Sequence, residues 1–232
     1  MYIELLIIST CSLGLSILFA FLPQAELITI KPVTTDLKYK PSTIPFWALA
    51  LIDITIPLLV IFVVFIHQRH ENKWSFIKLS LLFLYSSMLM TLFITEFLKF
   101  LVCKQRPDYN DRQQLILKAK AENKHLNAWY LKKESSRSFP SGDTSASFCY
   151  LLPVPYLLSK EKIHKFIVIL SFVILVAWGS TIGYLRVYNN KHDISDIGWG
   201  IDVGILSSII VTYIFSIKRT KLNHLRNYPP KN

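Results

Sequence analysis

At 232 residues, 52% of them hydrophobic and with a mean hydropathy of +0.37, the chain is too apolar for an ordinary soluble domain and reads as a membrane protein. Its formal net charge of +11 suits either nucleic acid or the anionic head groups and phosphates of a membrane. No nucleic-acid-binding motif occurs and the basic residues fall between apolar runs, which favours the second. Cys11, Cys103 and Cys149 lack metal spacing, imply no disulfide framework and read as small buried apolar residues.

Six apolar segments follow, each near the roughly 20 residues that span a bilayer core: about Ile3 to Leu22, Phe46 to Ile66, Phe76 to Leu98, Thr144 to Leu158, Phe166 to Leu185 and Ile197 to Ile217. The first carries Glu4 and no basic leader, so it reads as a transmembrane helix rather than a signal peptide. Pro153 and Pro155 predict that the fourth is kinked or partly interfacial. Asp53 and Asp202 lie inside the second and sixth and are expected to face the bundle or a wet cavity, as hydrogen-bonded structural carboxylates. An even number of crossings puts both termini on one side. The basic loops HQRHENKWSFIK and SKEKIHK and the tail KRTKLNHLRNYPPKN place that side in the cytoplasm.

The opposite side, lumenal, extracellular or periplasmic, then carries three connections. Pro23 to Pro45 reads as an ordered nonhelical loop. Within Cys103 to Phe139, LILKAKAENKHLNAWYLKK predicts an interfacial helix whose Leu115, Leu117, Leu126, Trp129 and Tyr130 rest on lipid, although an amphipathic helix packed on the bundle fits equally. The fold expected is all-α: a polytopic membrane protein of six transmembrane helices in a bundle, with a short interfacial helix. It forms one domain over 1–232, with a functional core at about 96–217 and a basic cytoplasmic tail at 218–232.

Three polar clusters fall on that same side. In KFLVCKQRP, Lys99 and Arg106 are seven apart, two helical turns, so a helix ended by Pro107 projects both from one face, where they suit a phosphate or form a snorkelling pair. In SFPSGDT, Pro140, Ser141 and Gly142 turn the chain into a helix. Its free N–H groups can hold an anion, or Ser141 or Asp143 simply caps it. In GYLRVYNNKHDISD, Arg186 offers a planar cation, and His192 and Asp196 are i, i+4, which on a helix lets the carboxylate fix the imidazole tautomer. A polar loop with a His–Asp pair accounts for the same residues.

Taken in register, Lys99-x6-Arg106-Pro107, Pro140-Ser141-Gly142 and Arg186-x5-His192-x3-Asp196 resemble the signature of the type 2 phosphatidic acid phosphatase superfamily, which includes the lipid phosphate phosphatases. The resemblance implies that Lys99, Arg106 and Arg186 hold the phosphate oxygens, assisted by Ser141 and the Gly142 N–H. His192 would be the nucleophile that forms a phosphohistidine and Asp196 would orient it, with no metal and no cofactor. The implied activity is that of a phosphoric monoester hydrolase on a membrane lipid phosphate of the phosphatidate, lysophosphatidate or sphingoid phosphate type. The bilayer is its other partner, nucleic acid is not, and homo-oligomerisation is left open.

Two residues depart from that pattern. Leu185 stands where the family usually has Ser. Asp143 replaces the His that protonates the leaving oxygen, although the resemblance still gives it a catalytic position. At a helix N-terminus and beside cations a carboxylate is held ionised, which makes it a poor acid. Asp143 is then a substitute acid, or has a lesser role on a leaving group that needs little protonation, as in a polyprenyl diphosphate, or marks an impaired or inactive phosphate- and lipid-binding protein.

Overall fold

The computed structural model describes residues 2–67, 73–122 and 128–227. In chain order its elements are α1 (Tyr2–Phe21), β1 (Ile28–Thr29), α2 (Phe46–His67), α3 (Lys73–Leu101), β2 (Val102–Cys103), α4 (Tyr109–Ala121), α5 (Ala128–Ser135), α6 (Gly142–Phe148), α7 (Pro153–Lys160), α8 (Lys165–Tyr188) and α9 (Ile194–Asn227). Among the described residues, five helices are long and apolar enough to cross a membrane: α1, α2, α3, α8 and α9. Exposed Leu, Ile, Val and Phe cover the outer faces of α1, α2 and α8, as suits helices surrounded by lipid. This is an all-α, multi-pass membrane protein.

The expected fourth crossing is broken into α6 and α7. The chain turns through Cys149–Leu152, and Pro153 opens α7 at a position where its missing N–H costs nothing. The pair still runs from one end of the bundle to the other. Ser141 N–H donates to the Asp196 carbonyl (3.0 Å) at the start of α9, and Glu161, just past α7, pairs with Arg219 near the other end of α9 (2.7 Å). Lys218 pairs with Glu4 of α1 at that same far end (2.5 Å).

Small residues on α9 allow α6 to lie this deep. A Cβ on Gly200 would sit 2.7 Å from the Ser141 carbonyl, and one on Gly204 would sit 2.5 Å from that of Ser145, so only glycine admits the approach. Behind the contact, Phe83 stacks on Phe215 (4.0 Å between ring centroids) in a core shared with Leu5, Val64, Leu157 and Val211.

Several expectations need correction. The third helix stops at Leu101 instead of reaching Pro107, because Val102 and Cys103 pair as a parallel ladder with Ile28 and Thr29 of the first loop. Lys99 and Arg106 therefore do not share a helical face. The polar segment expected as one helix is two, α4 and α5, with 123–127, including Leu126, outside the described residues. Asp202 faces outward. Two residues from Gly200 is about 200° around a helix, so committing the glycines to α6 turns Asp202 away from the bundle. Asp53 is half-buried, and Cys11 is exposed on the outside of α1. The last helix continues to Asn227, well past Ile217. The loop from Pro23 to Pro45 is nonhelical throughout, as expected, and irregular apart from the two residues of β1.

Candidate active site

The turn between α8 and α9 sets the position of His192. Asn190 takes a left-handed conformation (φ 59°), and Asp193 then caps α9: its Oδ1 accepts the Asp196 N–H (3.0 Å), while Asp196 Oδ2 accepts the Asp193 N–H (3.2 Å). This reciprocal arrangement is a capping box built from two aspartates. It leaves His192 just outside the helix and 3% exposed.

The imidazole is oriented mainly by Ser138, not by Asp196. His192 Nδ1 lies 2.7 Å from the Ser138 carbonyl and 3.6 Å from Asp196 Oδ2, the latter too long for a hydrogen bond. A carbonyl oxygen can only accept, so Nδ1 carries the hydrogen and the lone pair is on Nε2. That nitrogen faces Arg106 Nη1 at 3.5 Å. Burial, then the charge of Arg106, holds the His192 pKa below the ordinary histidine value despite Asp196. The ring is thus neutral at neutral pH. Asp196 itself is fully buried, taking Lys104 Nζ on Oδ1 (2.7 Å) and the Ser138 hydroxyl on Oδ2 (2.5 Å). It fastens the frame around the imidazole.

Each expected phosphate cation is near this frame, and each is on a carboxylate. Arg106 donates through Nε and Nη2 to the carbonyl and Oε2 of Glu134 (2.6 and 2.7 Å) and through Nη1 to the Lys191 carbonyl (3.3 Å). Burial alone would raise the Glu134 pKa, but Arg106, with Lys99 and Arg137 behind it, brings it below the ordinary value. Lys99 pairs with Glu96 (3.0 Å) and stands 3.1 Å from where a Cβ on Gly142 would be. Arg186 donates to the Ser42 hydroxyl (3.0 Å) and the Ile44 carbonyl (3.3 Å). Its Nε lies 2.8 Å from Asp143 Oδ2, but off the line of the N–H, which has no aligned acceptor among the described residues. Ser141 is buried, with its hydroxyl against that of Thr144 (2.9 Å) rather than capping α6. Within α6 the first N–H to bond back is that of Ser145, to the Ser141 carbonyl (3.0 Å).

The first loop closes over this end. Thr43 donates to Asn189 (3.0 Å), Asn190 donates to the Lys38 carbonyl (2.9 Å), and Lys191 Nζ sits 3.7 Å over the Tyr39 ring with Asp108 at 3.4 Å. Sequence reasoning missed this strap, and it missed Lys104, 2% exposed and bridging Asp193 (2.6 Å), Ser195 (2.8 Å) and Asp196. The signal for Lys104 was in KFLVCKQRP: once the stretch is extended, alternate residues share a side, which puts Lys104 with Arg106. Among the described residues no three His, Cys, Asp or Glu side chains gather as metal ligands.

A buried, neutral imidazole whose Nε2 faces a guanidinium group therefore stands at one end of an all-α membrane bundle. Comparison makes the class specific. The sequence profile of the PAP2 superfamily matches residues 80–220, more than half of the chain, and the protein belongs to that superfamily. It is similar to a PA-phosphatase related-family protein of Dictyostelium discoideum, 27% identical over 186 residues that cover 75% of this chain and 61% of the relative. It is also similar to lipid phosphate phosphatase 2 of Arabidopsis thaliana, 32% identical over 186 residues (74% and 62%), and to lipid phosphate phosphatase 1 of the same plant, 28% over 220 residues (88% and 64%). The chain spans less than two thirds of the length of these relatives. No solved structure gives a significant match.

Proposed function

We propose that the protein is an integral-membrane phosphatase that hydrolyses a lipid phosphomonoester through a phosphohistidine at His192. The observation that carries this reading is the Ser138 carbonyl on Nδ1 (2.7 Å), which leaves the Nε2 lone pair beside Arg106. A phosphate arriving there takes the guanidinium groups of Arg106 and Arg186 and the ammonium of Lys99, with the N–H groups of the first turn of α6 as further donors. Nε2 attacks phosphorus in line, the bond from phosphorus to the lipid oxygen breaks, and that oxygen takes a proton from solvent water, which is returned when a second water attacks. Water then attacks the phosphohistidine, releasing inorganic phosphate and restoring the imidazole. The clustered cations stabilise the charge on the transferring group in both steps.

Counting α6 and α7 as one broken crossing gives six, with both termini in the cytoplasm and the site at the outer or lumenal face. There α4 and α5 lie along the interface, and Leu117, Trp129 and Tyr130, all more than half exposed, meet lipid. A head group then reaches His192 from the membrane plane. The Asp143–Arg186 contact supports a second reading, a phosphate-lipid-binding protein of low turnover, because a carboxylate stands where an acid is needed.

Purified protein in liposomes with EDTA, supplied with phosphatidate, lysophosphatidate or sphingoid phosphates across pH, separates the two. Phosphate release that His192→Ala abolishes and Asp143→His preserves or raises is expected. If neither the wild type nor Asp143→His releases phosphate, while both bind vanadate, the binding reading stands. Activity that EDTA removes would overturn the metal-free mechanism.

A further inference from the structure

On the side of Glu96 away from Lys99 lies a cavity of about 350 Å³ between the end of α1, the chain leaving it and α5. Its polar floor is Arg137, 1% exposed. One guanidinium nitrogen donates to Glu96 Oε2 (2.6 Å), while Nε and Nη1 have no hydrogen-bond partner among the described residues. A buried guanidinium with unspent donors is costly, and the ordinary remedy is an anion. The polar neighbours cannot supply one. Gln24 already spends its amide on the carbonyls of Lys99, Val102 and Ser136 and accepts the Ser136 hydroxyl.

The walls are apolar and aromatic. Phe21, 72% exposed, and Trp129, 61% exposed, form the rim, and Lys133 lies between them, with Nζ 5.5 Å from the Phe21 ring and 4.8 Å from that of Trp129. Aromatic rings and a lysine at the end of a membrane helix are the furniture of the bilayer interface. A cavity of this volume is in the range of small-molecule sites. The occupant it fits is amphiphilic, with an anionic group reaching Arg137 and an apolar body between the rings.

We propose that this cavity binds the phosphate-bearing head group of an anionic bilayer lipid, at a place separate from the reaction site at His192. The inference does not depend on the reaction proposed above. Glu96 links the two places, since its other oxygen holds Lys99 (3.0 Å).

The test uses the full chain in nanodiscs, in a His192→Ala background so that no lipid phosphate is consumed. Quenching of Trp129, read as the difference from Trp129→Phe, is measured with brominated phosphatidylglycerol and with brominated phosphatidylcholine. Two cations near a charged lipid predict quenching by the anionic lipid at least about fivefold more effective at equal mole fraction. Arg137→Gln is expected to abolish that preference and Lys133→Gln to reduce it. The second variant covers the case in which the first fails to fold, which circular dichroism reports. Sodium phosphate in the aqueous phase identifies the source of the anion. Quenching that it leaves intact supports a lipid head group, whereas relief at low millimolar phosphate overturns the lipid in favour of a free-anion site. Equal quenching by both lipids, or a preference that survives Lys133→Gln and a folded Arg137→Gln, overturns the proposal outright.

Discussion

Asp143→Asn is the most informative single change, because it keeps the shape of the side chain and removes the negative charge 2.8 Å from Arg186 Nε. On the proposed reading, Asp143 and the phosphate compete for that guanidinium and repel one another. Two unit charges about 4 Å apart near a protein surface interact by about 4 kcal/mol. The Asp143 side chain is 26% exposed. Solvent and the neighbouring cations therefore reduce the repulsion to about 1–2 kcal/mol. Orthovanadate, read by titration calorimetry in detergent, is then expected to bind about tenfold tighter to Asp143→Asn. Arg186 keeps Ser42 and Ile44 as anchors, so its position should survive. Asp143→His adds an acid, whose role is worth about 10²–10⁴-fold in favourable cases, and should raise kcat by at least about tenfold. The Asn variant should gain affinity without gaining kcat. Vanadate binding that is unchanged or weaker in a folded Asp143→Asn protein would refute the competition.

Three further changes follow from the same frame. Because burial and Arg106 hold His192 below the ordinary histidine value, the rate of phosphoenzyme formation should stay flat as pH falls to about 6.5; a decline centred above that value would contradict the assignment. The unfolded chain takes up that proton first, so the stability tied to the neutral ring is intact above about 6.5 and is lost as pH falls below it. Lys191 is pushed down to about 7 by burial and then by Arg112, against the pull of Asp108. The unfolded lysine protonates at about 10.4, so stability should fall as pH drops from about 10 to about 7, and thermal unfolding of Lys191→Met should lack that slope. Lys104→Met strands Asp193 and Asp196 without their cation. Removing one partner of a buried pair costs about 3–5 kcal/mol, so denaturant unfolding within about 0.5 kcal/mol of wild type would show that Lys104 is not the clamp the geometry describes.

The long helices were legible because period and length alone define them, and the superfamily because three spaced motifs agree. What the sequence hid was set by partners distant along the chain. KFLVCKQRP reads as a helix running to Pro107 until Ile28 and Thr29 claim Val102 and Cys103 as ladder partners, and that pairing frees Lys104 to turn inward. The i, i+4 spacing of His192 and Asp196 predicted neighbours, which lie 3.6 Å apart, but not the Ser138 carbonyl that lies closer to Nδ1. A backbone carbonyl carries no sequence signal, so Ser138 could not be weighed as the group on Nδ1. The aspartate box, D-I-S-D before an apolar run, was readable as a helix start and would have placed His192 outside α9.

On the proposed reading, the pairing of Lys99, Arg106 and Arg186 with carboxylates bears on which phosphate would be accepted. Cations left bare in a poorly solvated site would be costly, and Glu96, Glu134 and Asp143 prevent that by occupying Lys99, Arg106 and Arg186. A phosphate must therefore exchange with carboxylates rather than fill an empty charge. A monoester dianion carries the charge of two carboxylates, whereas a diester carries that of one, so the exchange favours the monoester without any contact to the rest of the lipid. The three carboxylates are not equally held. Glu134 takes an aligned hydrogen bond from Arg106, and Glu96 takes one from each of Lys99 and Arg137, while the Asp143 contact with Arg186 Nε has none and its side chain is the most exposed of the three, 26% against 20% and 21%. Asp143 is accordingly the first to yield, and Glu134→Gln should tighten vanadate binding less than Asp143→Asn does, because it also removes the group that fixes Arg106 beside Nε2. The opposite order of affinities would mean that Arg106, not Arg186, is the cation a phosphate takes first.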